Sequence, residues 1–89
     1  MKTRIAAISI LVEDPASVEA LNGLLHDYSD YILGRMGIPY REKGVNIISL
    51  SLDAPVDVIN ALTGKIGRLS GVNAKAVYSR GLNREEKES

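Results

Sequence analysis

The amino-acid sequence predicts an α+β domain with a duplicated β-α-β plan, and three observations lead there. Strand-like apolar runs alternate with amphipathic helical stripes, each stripe opens on a proline, and the two halves of the chain match each other. Pro15 and Pro55 lie 40 residues apart, as do Val18 and Val58; Leu21 and Leu62, and Gly23 and Gly64, lie 41 apart. A period of this length that occurs only twice excludes a solenoid.

The first run, Ile5 to Val12, is apolar on nearly both faces, the pattern of a central strand covered on two sides. Glu13-Asp14-Pro15 stops it. Asp14 suits a helix N-cap, and Pro15 suits the first helical position, where its missing N–H costs nothing. Val18, Leu21, Leu25, Tyr28 and Ile32 then follow at spacings of three and four, with Leu24 alongside, as one helical stripe. Gly34 to Arg41 holds two glycines and a proline, tolerable in an edge strand but not in a central one. Glu42-Lys43-Gly44 reads as a hairpin turn with Gly44 at positive φ. Val45 to Leu52 is a strand that sends Ile48, Leu50 and Leu52 one way and Ile47, Ser49 and Ser51 the other.

Asp53-Ala54-Pro55 repeats the earlier stop, and a second helix carries Val58 or Ile59, Leu62, Ile66 and Leu69. Gly71 is placed to end it in the left-handed conformation. Val72 to Ser79 forms the last strand. Two such units interleave as a four-stranded antiparallel sheet with both helices on one face, the ferredoxin-like βαββαβ fold. Residues 1–79 are thus expected to form one domain. Residues 80–89, with three basic, three acidic and one apolar side chain, are expected to form a polar, disordered tail.

A chain of 89 residues has room for one core and buries only about 60–65% of its unfolded surface, so oligomerisation is a natural support. Eleven basic residues balance eleven acidic ones, and the pI is near 6.6. That leaves no surplus cation to track phosphates, and direct nucleic-acid binding is not expected. The absence of cysteine removes disulfides, thiolate metal sites and thiol nucleophiles together, and it suits a reducing cytoplasm. The apolar run after Arg4 is too short to span a bilayer and is followed by no small-residue cleavage site, so no membrane partner is expected.

With Ile8, Ile10 and Val12 toward the helices, the other sheet face carries Ala7, Ser9 and Leu11. Ile47, Ser49 and Ser51 join it from the third strand, and Lys75, Val77 and Ser79 from the fourth. The chain has no Phe or Trp and only four Tyr, so base stacking on this face is not expected. A flat Ala/Ser/Ile surface suits sheet-on-sheet contact with another subunit, which predicts a homo-oligomer, a dimer or tetramer.

No constellation for catalysis emerges. His26 and Asp27 are neighbours on a helix and point about 100° apart, so they form no dyad. One His and no Cys make no zinc or nickel site within a chain, and no cofactor is implied. Thr63-Gly64-Lys65 lacks the glycine that a phosphate loop needs five residues earlier, where Ile59 stands. Gly64 and Gly67 inside a helix each cost up to about 1 kcal/mol, which close helix packing explains most simply. Room for a ligand or a partner helix is the other reading of them. Arg35, Tyr40 and Arg41 cluster on or beside the glycine-rich second strand. They read either as an anion contact or as charges that discourage strand pairing at an edge.

Four segments together resemble the iron-only hydrogenase system regulators: Ile8 to Asp14, Leu24 to Ser29, Gly37 to Glu42 and Ala61 to Val72. The similarity runs over residues 4–79. It implies a ferredoxin-like domain akin to ACT domains and to the C-terminal domain of the nickel-responsive repressor. It also implies a role beside the hydrogenase maturation proteins, with a small-molecule effector or a hydrogenase-system protein as partner. The family brings no catalytic residues. The histidines and cysteine of the nickel repressor are missing here, so nickel sensing is not implied. No DNA-binding arm is expected before the first strand. Glu13-Asp14-Pro15 occupies the turn at which ACT domains bind amino acids. The expected function is therefore a non-catalytic regulatory module that senses a ligand or docks on a partner. The alternative is a structural adaptor that binds no small molecule.

Overall fold

The structure is a computed structural model and describes residues 2–80. Its elements are β1 (Arg4–Val12), α1 (Val18–Asp27), β2 (Ile32–Tyr40), β3 (Val45–Ala54), α2 (Val56–Gly67) and β4 (Val72–Tyr78). The strands form one antiparallel sheet in the order β2-β3-β1-β4. This is the expected βαββαβ arrangement, with the glycine-rich β2 at an edge.

Period-two patterning builds the core. Ile8 faces Leu50 and Ile10 faces Ile48 across the central pair. These four are buried against Leu21 and Leu25 of α1 and Ile59, Leu62 and Ile66 of α2. Full burial of such a side chain contributes about 2 kcal/mol, and these nine account for most of the large buried side chains. Burial alternates along β1 and β3, so the helices cover a single face. The expectation that β1 is covered on two sides is met on one side only. Ile5, Ala7, Ser9 and Leu11 stay exposed in the single chain.

Three boundaries differ from the sequence reading. The first helix ends at Asp27, the Tyr28 N–H closes on the Leu24 carbonyl at 3.2 Å, and Ser29–Tyr31 make a 3-10 turn. Ile32, read as helical, opens β2 with φ −88° and ψ 121°. The stripe ran on because Tyr28 and Ile32 pack on the same core from different elements. The third strand continues through Asp53 to Ala54, since Ala54 is buried opposite Arg4 and the ladder runs on to it. Pro55 is consequently the N-cap of α2, not its first residue. The last strand ends at Tyr78, and the Ser79 N–H still reaches the Ile5 carbonyl at 2.8 Å. Arg80 is exposed, and the rest of the expected tail, 81–89, lies outside the described residues.

The turn after β1 and the turn before β4 are locked together. Asp14 caps the 3-10 turn Pro15–Ser17 by accepting the Ala16 N–H at 3.0 Å, and its other carboxylate oxygen accepts the Ser70 hydroxyl at 3.0 Å. The Ser17 hydroxyl donates to the Ser70 carbonyl at 2.6 Å, and the Glu13 N–H to the Gly71 carbonyl at 2.7 Å. Gly71 takes φ +67°, as its place after the helix suggested. A Cβ there would sit 2.6 Å from the Asp14 Cβ and 2.9 Å from its backbone nitrogen. Gly44 takes φ +66° in the hairpin turn, also as read from the sequence.

Gly64 and Gly67 do the opposite. A Cβ added at either meets nothing within 4 Å, so close helix packing does not explain them. Both point away from the core, which α2 reaches through Ile59, Leu62 and Ile66.

Two predictions follow from these glycines. Gly71→Ala combines left-handed strain with a backbone clash and should cost about 3 kcal/mol or more, read as a collapse of the cooperative thermal transition. Gly64→Ala should stabilise the chain by about 0.5–1 kcal/mol, which for a domain this small raises Tm by about 3–6 °C. A lower Tm for Gly64→Ala in circular-dichroism melts would show that something packs against that face in solution.

Candidate functional site

The sequence offered two places for chemistry; the structure separates the residues of the first and leaves open space at the second. Arg35 pairs with Leu50 and so lies on the helix side of the sheet, where its guanidinium donates to Asn22 Oδ1 on α1 at 3.4 Å. Tyr40 pairs with Val45 on the opposite side, five residues along, a distance of about 16 Å in extended chain. Arg41 begins the 3-10 turn beyond the strand. The three side chains are not brought together. Gly64 and Gly67 are exposed on the outer surface of α2, with open space where a Cβ would stand. His26 is exposed on α1.

Lys65, the cation of the rejected phosphate motif, is engaged elsewhere. Its ammonium donates to the Tyr28 hydroxyl at 2.9 Å and lies 5.2 Å from the centre of that ring. Tyr31 packs against Tyr28 at 6.4 Å between centroids. On the other flank the Tyr78 hydroxyl donates to Asn60 Oδ1, tying β4 to α2. No sequence signal announced the Lys65–Tyr28 and Tyr78–Asn60 ties, because each joins residues far apart in the chain. The turn that would hold an amino acid in an ACT domain is filled by the lock between Asp14 and Ser70-Gly71. Among the described residues no group of three or more His, Cys, Asp or Glu could hold a metal ion.

What remains is the face of the sheet that the helices leave open. Its side chains form rows across the strands, set by the register. One row is Gly34, Ser51, Ala7 and Val77; the next is Met36, Ser49, Ser9 and Lys75. The third is Ile38, Ile47, Leu11 and Asn73. Tyr40 and Val45 continue the face at one end, and Ile5 and Asp53 at the other. Among the described residues nine large apolar side chains are exposed, and all but Tyr31 and Leu33 stand on this face. Lys75 on an edge strand and Asp53 at the end of β3 are its two charges. A solvated face of a chain that is 25% charged would carry more of them, and charge depletion is the mark of an interface centre.

The sequence reading placed Ala7, Ser9, Leu11, Ile47, Ser49, Ser51, Lys75 and Val77 on this face, and they are there; Ser79, also read as part of it, lies just past the end of β4. It missed Met36, Ile38 and Tyr40, which are 65%, 52% and 42% exposed and make the face markedly more apolar. Their alternation with Gly37 and Pro39 is period two and was the available signal, masked by the breakers between them. At the edge, Pro39 and Arg35 discourage further strand pairing on β2.

Comparison with known proteins gives a consistent picture. The sequence profile of the TM1266-like family, described as "Iron-only hydrogenase system regulator, putative", matches residues 4–76. The solved structure of the uncharacterized protein TM1266 from Thermotoga maritima is 39% identical. It superposes with a TM-score of 0.85 over 89% of this chain and 100% of that one. CPII, a nitrogen regulatory PII-like protein from Thiomonas intermedia K12 bound to ADP, AMP and bicarbonate, is 18% identical with a TM-score of 0.41. That match covers 89% of this chain and 99% of CPII, and so weak a likeness carries nothing about ligand or assembly. No curated protein matches the chain significantly.

Proposed function

The chain belongs to the TM1266-like family of iron-only hydrogenase system regulators, and from that premise we propose that it acts by binding, as an oligomeric regulatory module of such a system without catalytic turnover. The observation that carries this reading is the open sheet face, where seven of the nine large exposed apolar side chains of the described residues gather with only two charges. A chain whose largest uncommitted feature is a contact surface regulates through what it assembles with. In this reading a small effector binds one assembly state better than another and shifts the population between them. A hydrogenase-system protein docks on the favoured state. The setting is a reducing cytoplasm, which a chain free of cysteine suits.

Native mass spectrometry of protein purified gently under anaerobic conditions tests this. The expected result is an oligomer carrying a discrete extra mass, and readdition of that compound at 100 times its Kd should stabilise the fold by about 2.7 kcal/mol. A bare oligomer that no cell extract stabilises would favour an adaptor without effector. A bare monomer would contradict the proposal.

A further inference from the structure

We propose that the open face of the sheet is closed by a second copy of this chain, related by a two-fold axis that runs along the strands between β1 and β3. This rests on the assembly part of the function proposed above and specifies its geometry.

Area is the first argument. Four strands at about 4.8 Å spacing, with rows spread over about nine residues at about 3.3 Å, give a face of roughly 600 Å² in plan. Two such faces in contact remove about 1,200 Å², the lower limit of specific interfaces. An occupant smaller than the sheet itself would leave part of the apolar rows wet.

Self-complementarity is the second. Rotation about an axis parallel to the strands keeps each row facing its own copy, reversed in strand order. β1 then lies over the partner's β3, and β2 over the partner's β4. Leu11 meets the partner's Ile47, an apolar pair at the centre of the third row. Val77, 69% exposed in the single chain, stands over the partner's Gly34, large over small. Ser9 faces the partner's Ser49, so the middle of the interface is low and the sheets can approach within the usual spacing of about 10 Å. Lys75 comes over the partner's Met36 at the rim, where its alkyl stem packs on the thioether and its ammonium reaches water. The alternative two-fold, across the strands through the middle row, sets Lys75 over the partner's Lys75 and is disfavoured by charge.

The third argument is β1 itself. A strand apolar on both faces belongs in the middle of three layers. The two helices supply one layer, and a second sheet, related by symmetry, supplies the other.

The absence of cysteine and the pairing of unlike positions allow a specific test by sedimentation velocity. The unaltered chain should sediment as an oligomer. Ile47→Glu and Leu11→Lys should each sediment as folded monomers, with the unaltered far-UV spectrum and a cooperative melt. Leu33→Glu, at the β2 bulge outside the rows, should leave the oligomer intact. Mixing the two monomeric variants should restore a dimer, because Lys at position 11 of one chain then meets Glu at position 47 of the other. Failure of the mixture to associate would overturn the axis. An Ile47→Glu chain that stays oligomeric would overturn this interface while leaving the regulatory reading intact. A monomeric unaltered chain would overturn both and give the face to a different protein.

Discussion

The covering of β1 is the constraint on which the rest of this structure depends. Two helices can shield one face of a four-stranded sheet and no more. Ile8, Ile10 and Val12 take that shelter, and Leu21, Leu25, Ile59, Leu62 and Ile66 exist to provide it. Everything else follows from holding this single layer in place. Asp14 and Gly71 clamp the ends where chain leaves and rejoins the sheet. The Lys65–Tyr28 and Tyr78–Asn60 ties pin the helices laterally. The second face of β1 receives no cover from the described residues, and so small a domain has little spare stability to keep Leu11, Ile38 and Met36 in water.

Much of this architecture was legible in the sequence because it is locally dictated. Strict alternation from Val45 to Leu52 can only be a half-buried strand, and Asp14-Pro15 carries its own capping chemistry. Gly44 and Gly71 stand where left-handed turns need them. What was not legible depends on tertiary context. Ile32 keeps helical spacing with Tyr28 although the chain has already turned into β2, since both address one core. Arg35, Tyr40 and Arg41 are close in sequence yet divided by the sheet, because neighbouring strand residues an odd number apart face opposite ways. Gly64 reads as a packing residue until the space around it is seen to be open.

Family membership and the open face point the same way. A regulator needs two states whose balance a ligand can move, and the proposed dimer supplies them. The serine-rich middle of the face suits this role. It lets two sheets approach closely, while Leu11, Ile38 and Ile47 carry the apolar contact in the row beside it.

Hydroxyl-radical labelling of the unaltered protein over a dilution series tests the central claim most directly. Leu11 and Ile47 are 43% and 37% exposed in the single chain, while Leu33 is 64% exposed and lies outside the rows. If a second copy covers the sheet, Leu11 and Ile47 are protected at high concentration and become labelled on dilution, with Leu33 labelled throughout. Equal labelling of Leu11 at every concentration would contradict the account.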